Sequence, residues 1–386
     1  MTSSQFHDHK VQQRKEHLPF DVESWYDWLG AGHTFATHFV EVSLAEAQAL
    51  LRWYHHRYNS RDAPASEQVR ALVELRDRLT PILDEAGKDW FIRLSSRSPK
   101  DAGFLDKSMF EEELERWRKV MQEDAEHLNA RRSQADQRSE EADGTYHHPP
   151  DMDREKADKL LEANAQMLAF SQITWANQKT KGGPATSGAV LEHLVSSERV
   201  LVDLVEATEA EELFSMKIIA RQWEPTLRHD FEFRGFVNNG QLNALSQYNH
   251  YCYFPHVLRE KAALEKSIVK YWQTEIKPRI PLDSYVVDFA VLSDGRVTVV
   301  ELNPFKTTTG ACLFSWSHHR EILESGPFEF RIHEDIVPQL PNYVEHALPE
   351  AFRQSAKDES LASLSDLQRL YPGESQTSSP PRCSIQ

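Results

Sequence analysis

The stretch SYVVDFAVLSDGRVTVVELNPF, from Ser284 to Phe305, decides the fold. Two runs rich in β-branched and aromatic residues flank Asp294-Gly295. Asp-Gly suits a two-residue type I′ turn, because both positions tolerate positive φ. With that turn, Ser293 faces Arg296, and counting outward sets Asp288 opposite Glu301. Asn303 falls two residues further on the same face. Val286, Ala290, Val297 and Val299 are the expected neighbours on that face. Directly opposed carboxylates sit about 4.5–5.5 Å apart at Cβ, and like charges so placed are destabilising. Burial adds to the penalty. Two kinds of group compensate such a pair. One is a neighbouring Arg or Lys. The other is a hard cation that takes oxygen ligands from two carboxylates and an amide, as Mg²⁺ does when phosphate oxygens complete its shell.

A second hairpin lies upstream. DFEFRGFV, residues 230–237, runs into Asn238-Asn239-Gly240, and Asn-Gly is again a favoured turn. With Asn239-Gly240 as the turn, Glu232 faces Gln247 and Arg234 faces Leu245. Glu232 and Arg234 then share one face, with Phe231, Phe233 and Val237 on the other. The arginine is either half of an ion pair on a half-exposed strand or a fork for phosphate. KIIARQW, residues 217–223, reads as a buried strand with a polar end.

Outward from these hairpins the chain changes character. Strands dominate from about 215 to 304, with one long helix near 256–278. The first half is mostly helical. Ser43-Leu44-Ala45-Glu46 has capping-box spacing before an apolar-periodic run. Further helical patterns run from about Pro64 to Ala86, from a second capping box at Ser108 and Glu111, and over 153–178. A short strand pattern, Asp89 to Leu94, falls between two of them, and Lys181-Gly182-Gly183-Pro184 reads as a loop. The expected division is a loose N-terminus at 1–20, an N-terminal lobe at 21–128, a charged disordered insertion at 129–152, a C-terminal lobe at 153–350 and a largely disordered tail at 351–386.

The composition narrows the function classes. With 386 residues, 40% of them apolar, the chain can bury a sizeable core. The net charge of -16 argues against sequence-independent nucleic-acid binding, which needs a positive field over the phosphates. The three cysteines, Cys252, Cys312 and Cys383, form no C-x-x-C pair, which fits a reducing compartment. No apolar run reaches the length of a membrane span. The expectation is a cytoplasmic protein, with no nucleic acid or membrane as partner. The histidine pairs at 55–56, 147–148 and 318–319 are adjacent rather than at i,i+4, which does not suit zinc.

Taken in order, FIRLSSRSPKDA (91–102), LVSSERVLVDL (194–204), MKIIARQW (216–223), EFRGFV with LNALSQYNHY (232–251), and SYVVDFAV, VVELNPF and TGACLFSW (284–316) resemble the cell division cycle protein 123 family, a branch of the ATP-grasp fold. SWYDWL near residue 24 is similar to the start of that family. The resemblance implies an α+β protein in which two lobes with antiparallel sheets clasp a nucleotide. It implies ATP and Mg²⁺ as ligands. By position it makes Asp288, Glu301 and Asn303 the metal ligands and Arg234 a phosphate contact, with Glu232 beside it in the ATP site. Arg93 and Ser95 fall at a phosphate-contacting strand and turn, with Arg97 and Lys100 as further contacts. Arg221, Gln222 and Trp223 fall beside the adenine. Two departures mark this chain as divergent. The family's D-F-N-P is here Glu301-Leu302-Asn303-Pro304, and its K-L-N-W-S is Arg93-Leu94-Ser95-Ser96-Arg97.

The function implied by the resemblance is ATP-dependent assembly of the eukaryotic translation initiation factor 2 complex through its gamma subunit, by a monomer. The alternative is an ATP-grasp ligase that joins a carboxylate to an amine through an acyl phosphate. Such an enzyme relies on positioning and charge stabilisation, so no catalytic nucleophile is assigned.

Overall fold

The computed structural model describes residues 3–30, 32–59, 61–85, 88–102, 108–123, 154–176, 187–334 and 363–371. The stretch from Ser284 to Phe305 does form a hairpin, but not with the expected turn. Its strands are β6 (Tyr285–Val291) and β7 (Val297–Asn303). Leu292 donates to the Arg296 carbonyl at 2.8 Å, and Gly295 donates to the Leu292 carbonyl at 2.8 Å. The loop is therefore Ser293-Asp294-Gly295, with Gly295 at φ 84. A three-residue loop closed by a glycine in the left-handed region is the next most common hairpin connection. Ser293 does not face Arg296. The longer loop shifts the pairing by one residue, so Val291 faces Val297 and Phe289 faces Val299. An irregularity between Asp288 and Phe289 then shifts it back. Asp288 faces Glu301 as the simple count requires, because the two shifts cancel. They do not cancel nearer the turn. There Ala290 pairs with Thr298, so buried Thr298, rather than Val297 and Val299, shares the face of Asp288.

The Asn239-Gly240 turn does have two residues, both with positive φ (52° and 65°). It joins β4 (Glu232–Asn238) to β5 (Gln241–Gln247). Asn238 pairs with Gln241 and Val237 with Leu242, as the count requires. A bulge after Val237 then moves the register, and Arg234 faces Ser246 rather than Leu245. Phe233 takes the place opposite Gln247 expected of Glu232. A two-versus-one bulge leaves no mark in composition, which is why counting from the turn misses it.

The chain divides into two units. The second comprises residues 104–176 and 225–354. Its five-stranded sheet has the order β7-β6-β4-β5-β8, where β8 is Glu329–Arg331. All pairs are antiparallel except β5 with β8. Both faces of the central strands are covered, so β6 is buried along its whole length. That accounts for the near-continuous apolar run YVVDFAV. On one face α9 (Pro255–Tyr271) packs, with Tyr271 edge-on to Phe289 at 6.4 Å and Trp272 Nε1 donating to the Tyr285 hydroxyl at 3.0 Å. On the other, Phe305, Ala311, Phe314 and Trp316 from the segment after β7 pack on Phe236, Ala244 and Val286, joined by Leu323 of α10 (Arg320–Ser325). Gly235 faces α9. A Cβ there would lie 3.0 Å from Leu242 Cδ1, 3.1 Å from Phe289 Cε2 and 3.2 Å from Val287 Cγ1, so a side chain at that point requires its neighbours to give way. The unit also holds α5 (residues 108–123) and α6 (Arg154–Ala176).

The first unit comprises residues 1–103, 177–224 and 355–386. It has a three-stranded antiparallel sheet, order β1-β3-β2, from Thr37–Glu41, Lys217–Gln222 and Trp90–Leu94. Its central strand comes from the second half of the chain. A core built from Leu50, Trp53, Leu72, Leu191, Leu204 and Ile218 joins the sheet to α3 (Leu44–Asn59), α4 (Ser66–Leu83), α7 (Ser187–Val195) and α8 (Glu198–Glu209). The capping box at Ser43 forms: Glu46 N donates to Ser43 Oγ at 3.3 Å and Ser43 N to Glu46 Oε2 at 2.8 Å. Helices occur within two segments expected to be loose. Residues Ser3–His17 are helical (α1), followed by α2 (Val22–Leu29). Arg14 of α1 grips Asp21 at 2.6 Å. In the expected tail, Leu364–Arg369 forms α11, capped by Ser363, and buries Leu364 and Leu367 in this core. The expected insertion at 129–152 and the glycine loop at 181–184 lie outside the described residues. Among those described, no helix is long and apolar enough to cross a membrane.

Candidate functional site

Strand pairing lines up five side chains across the second sheet. Arg331 on β8 pairs with Ser246 on β5, Ser246 with Arg234 on β4, Arg234 with Asp288 on β6, and Asp288 with Glu301 on β7. Paired residues point to the same face. The result is a polar row through a sheet that is otherwise apolar, on the face covered by residues 305–316. Asn303 pairs with Val286, one step along from Glu301.

Arg234 and Asp288 carry the electrostatics of the row. Arg234 Nε and Nη2 donate to the two oxygens of Asp288, each at 2.7 Å. Its Nη1 donates to the Gly310 carbonyl at 2.8 Å. The guanidinium carbon lies 4.9 Å from the Tyr248 ring centre. Asp288 is 1% and Arg234 7% exposed, so the pair is removed from water. Burial alone would depress the Arg234 pKa, but the Asp288 carboxylate outweighs it and, with Tyr248 and Cys312, holds the pKa well above its ordinary value. Asn303 Nδ2 reaches Asp288 Oδ2 at 3.4 Å. Of the two compensating groups open to the carboxylate pair, a guanidinium is the one in place at Asp288. Glu301 stands across from it, half-buried.

The segment after β7 is tied to this row. Thr309 Oγ1 donates to the Pro304 carbonyl at 2.7 Å, Trp316 Nε1 to the Thr309 carbonyl at 2.6 Å, and Leu313 N to Ser246 Oγ at 3.1 Å. A Cβ at Gly310 would stand 3.4 Å from Arg234 Nη1, so this backbone runs close beside the guanidinium. Cys312 adopts φ 53, unusual for a residue with a side chain. At the far end of the row, Arg331 grips Glu329 at 2.7 Å and lies 4.2 Å from the Phe314 ring centre. Ser246, Tyr248, Gly310 and Arg331 carry no signal in the sequence. Ser246 and Tyr248 stand in LNALSQYNHY and Gly310 in TGACLFSW, but neither segment marks them as site residues.

Among the described residues, no group of three or more His, Cys, Asp or Glu side chains is gathered to hold a metal. That does not conflict with a cation such as Mg²⁺, which is held by one or two carboxylates together with phosphate oxygens. Asp288, Glu301 and the Asn303 amide fit that donor set. Glu232, buried at 9%, lies on the same face one row away, paired with Ala290.

The remaining expected site residues lie in the first unit. Arg93 is buried, with Nε on the Leu94 carbonyl at 3.0 Å and Nη2 on the Ser96 carbonyl at 2.9 Å. Ser95 Oγ donates to Glu23 Oε1 at 2.8 Å and accepts from Lys217 N at 2.9 Å, which ties β2 to β3. Arg97 pairs with Asp203 at 3.2 Å, and Lys100 N donates to the Ser98 carbonyl. Arg221 Nη2 donates to Thr34 Oγ1 at 2.6 Å, with its guanidinium carbon 4.9 Å from the Phe35 ring centre and 5.5 Å from that of Trp25. The backbones of Gln222 and Trp223 donate to Ala36 and Asp89.

Comparison with known proteins follows the second sheet. The D123 family model matches residues 183–356, which contain the whole row but not β2 with Arg93 and Ser95. A Xenopus laevis translation initiation factor eIF2 assembly protein is 27% identical over 165 residues, 40% of this chain and 48% of that protein. A Dictyostelium discoideum protein of the same name is 31% identical over 99 residues, 26% of each. Cell division cycle protein 123 of Candida glabrata is 30% identical over 102 residues, 26% of this chain and 28% of that one. The match to the two Xenopus relatives spans about half of their length, 48% and 50%. Among solved structures, Cdc123 from Schizosaccharomyces pombe covers 83% of this chain and 98% of its own, with a TM-score of 0.50 at 17% identity. A C-terminally truncated form gives 0.51 at 18%. That likeness speaks for the fold, α+β with mainly antiparallel sheets. The chain is thus similar to the D123 family over residues 183–356, and it shares its fold with Schizosaccharomyces pombe Cdc123.

Proposed function

We propose that this chain binds ATP with Mg²⁺ at the β6–β7 hairpin and acts as an assembly chaperone for translation initiation factor eIF2, through the gamma subunit. The observation that carries the reading is the pairing of Asp288 with Glu301, with Asn303 alongside and Arg234 across the sheet from Asp288. Support for the partner is the name borne by the relatives that align with this part of the chain. The proposal gives the metal to Asp288, Glu301 and Asn303, which offer two carboxylates and an amide oxygen. When bound, the cation would supply positive charge to the opposed carboxylates and to the phosphates of the nucleotide.

The chain's own residues do the rest. Arg234 presents a planar fork suited to phosphate oxygens. The Gly310 carbonyl, accepting from Nη1 at 2.8 Å, and the Tyr248 ring, its centre 4.9 Å from the guanidinium carbon, hold that fork in place. The packed segment 305–316 roofs this face and gives the site low-dielectric walls, which strengthen charge interactions. Nucleotide binding would stabilise the unit by mass action, without turnover. Arg93 and Arg221 are engaged by carbonyls and by Thr34, and they enter this proposal as fold residues.

The test is a pull-down of purified eIF2 gamma subunit by the full chain, with Mg-ATP and with EDTA. Recovery that depends on Mg-ATP and falls with Asp288→Asn supports the proposal. Recovery indifferent to both refutes the ATP-dependent role. Phosphate release with a carboxylate and an amine acceptor, and without the gamma subunit, would favour the ligase instead.

A further inference from the structure

We infer that residues 363–371 are an internal ligand: a helical docking motif seated in a groove between α4 and α7, which it yields to a partner helix of the same pattern. The first unit thereby carries a peptide-binding surface of its own, separate from the charged row of the second sheet.

The segment reads SLSDLQRLY. It lies beyond residue 356, where the match to the D123 family ends. Leu364, Leu367 and, just past the end of α11, Tyr371 stand at i, i+3 and i+7, the anchor spacing of an amphipathic helix laid in a groove. Leu364 is 2% and Leu367 1% exposed, and Tyr371 packs partly buried on the same core. Polar contacts fix the two ends and the middle. Leu364 N, one of the orphan donors of the first turn, donates to Glu192 Oε1 of α7 at 3.1 Å. A carboxylate at that end also complements the helix dipole. Arg76 Nη1 of α4 donates to Gln368 Oε1 at 3.2 Å, and the Tyr371 hydroxyl donates to the Pro64 carbonyl at 3.0 Å. Ser365, Asp366, Arg369 and Leu370 are exposed, Leu370 at 54%.

Three features mark the segment as a ligand rather than part of the frame. Its helix has six residues, well short of the about 12–15 that a helix needs to hold alone, so it forms on docking. Its cap is self-contained. Ser363 N donates to Asp366 Oδ2 at 3.0 Å and Asp366 N to Ser363 Oγ at 3.2 Å, so the motif carries its own start signal wherever it binds. Finally, the walls of the groove are joined without it. Thr80 of α4 and Ser187 of α7 bond through their hydroxyls at 2.6 Å, and Leu72, Leu79, Leu191 and Leu194 of the two helices belong to one core. The occupant that fits is a partner helix with a hydroxyl cap, an acid three places on, and apolar residues at the first, fourth and eighth positions after the cap.

The experiment opens the groove in the full chain with Leu364→Asp and Leu367→Asp together. A fluorescent peptide of this chain's own sequence around α11 is then added, and binding is followed by anisotropy. The opened variant should bind the peptide saturably. Wild type should bind it at least about tenfold more weakly, because a tethered segment competes at an effective concentration of millimolar order. The same peptide carrying Leu367→Ala should lose at least about tenfold on the opened variant, as the loss of a buried leucine anchor requires. An opened variant that keeps its circular dichroism but ignores the peptide overturns the inference. So does a peptide that binds wild type and the opened variant equally, or one indifferent to Leu367→Ala. Should both the opened variant and the milder Leu367→Ala chain unfold, the inference also falls, since a segment that can leave must leave its groove intact.

Discussion

Severing the buried fork between Arg234 and Asp288 should cost the fold far more than removing the pair altogether. Two charge-assisted hydrogen bonds of 2.7 Å join these side chains, at 9% and 2% side-chain exposure. Bonds to charged groups contribute about 1.5–3 kcal/mol each, so the pair gives roughly 3–6 kcal/mol. Loss of one partner of a buried ion pair costs about 3–5 kcal/mol, because the other charge is left without compensation. Asp288→Val and Arg234→Met are each expected to fall in that range. The double variant replaces two charges by apolar groups in a sheet whose neighbours are Phe236, Ala244 and Val286, and should lie within about 1–2 kcal/mol of wild type. Urea denaturation of the four proteins in EDTA closes the cycle. The expected coupling energy is at least about 2 kcal/mol. Single variants that cost less than about 1 kcal/mol, or effects that add to within about 0.5 kcal/mol, would refute the reasoning.

Two further outcomes follow from packing and titration. Gly235→Val places its side chain against Leu242, Phe289 and Val287, all within 3.2 Å of the new Cβ, and should destabilise the second unit by about 1–3 kcal/mol; an unchanged urea midpoint would contradict the crowding. His229 is buried edge-on to Phe254 and Trp117, and burial, opposed by Asp230, lowers its pKa from 6.5 to about 4. The fold favours the neutral ring, so this contribution is present above pH 6.5 and is lost as pH falls toward about 4. At about 1.36 kcal/mol per pKa unit the loss approaches roughly 3 kcal/mol. Between pH 6.5 and 5, wild type should lose stability more steeply than His229→Leu, and equal slopes would remove His229 as the cause.

Much of this site could be read in the sequence, though partly by compensating errors. Asp-Gly and Asn-Gly marked both hairpins, because positive φ is a local demand that few residues meet. The pairing of Asp288 with Glu301 came out right although the turn has three residues, since the irregularity at Asp288 restores the register. In the β4–β5 hairpin nothing restores it, and Arg234 came out one residue off. An extra residue in one strand of a pair has no signature in the residue pattern along that strand. The bond between Arg234 and Asp288 lay out of reach for another reason. The two are 54 positions apart, and nothing in either strand says that β4 and β6 are neighbours. The same holds for β3, which crosses from the second half of the chain to complete the first sheet.

The central claim is that the β6–β7 hairpin holds a metal-bound nucleotide, and calorimetry of Mg-ATP on wild type and on Glu301→Gln tests it most directly. Glu301 lies outside the fork on Asp288, so its neutral isostere leaves the Arg234 pair intact. Wild type should bind one Mg-ATP with a requirement for the cation, and Glu301→Gln should weaken it at least about tenfold, the equivalent of 1.4 kcal/mol. A wild-type chain that gives no saturable binding, or a Glu301→Gln chain that binds equally well, would contradict the account.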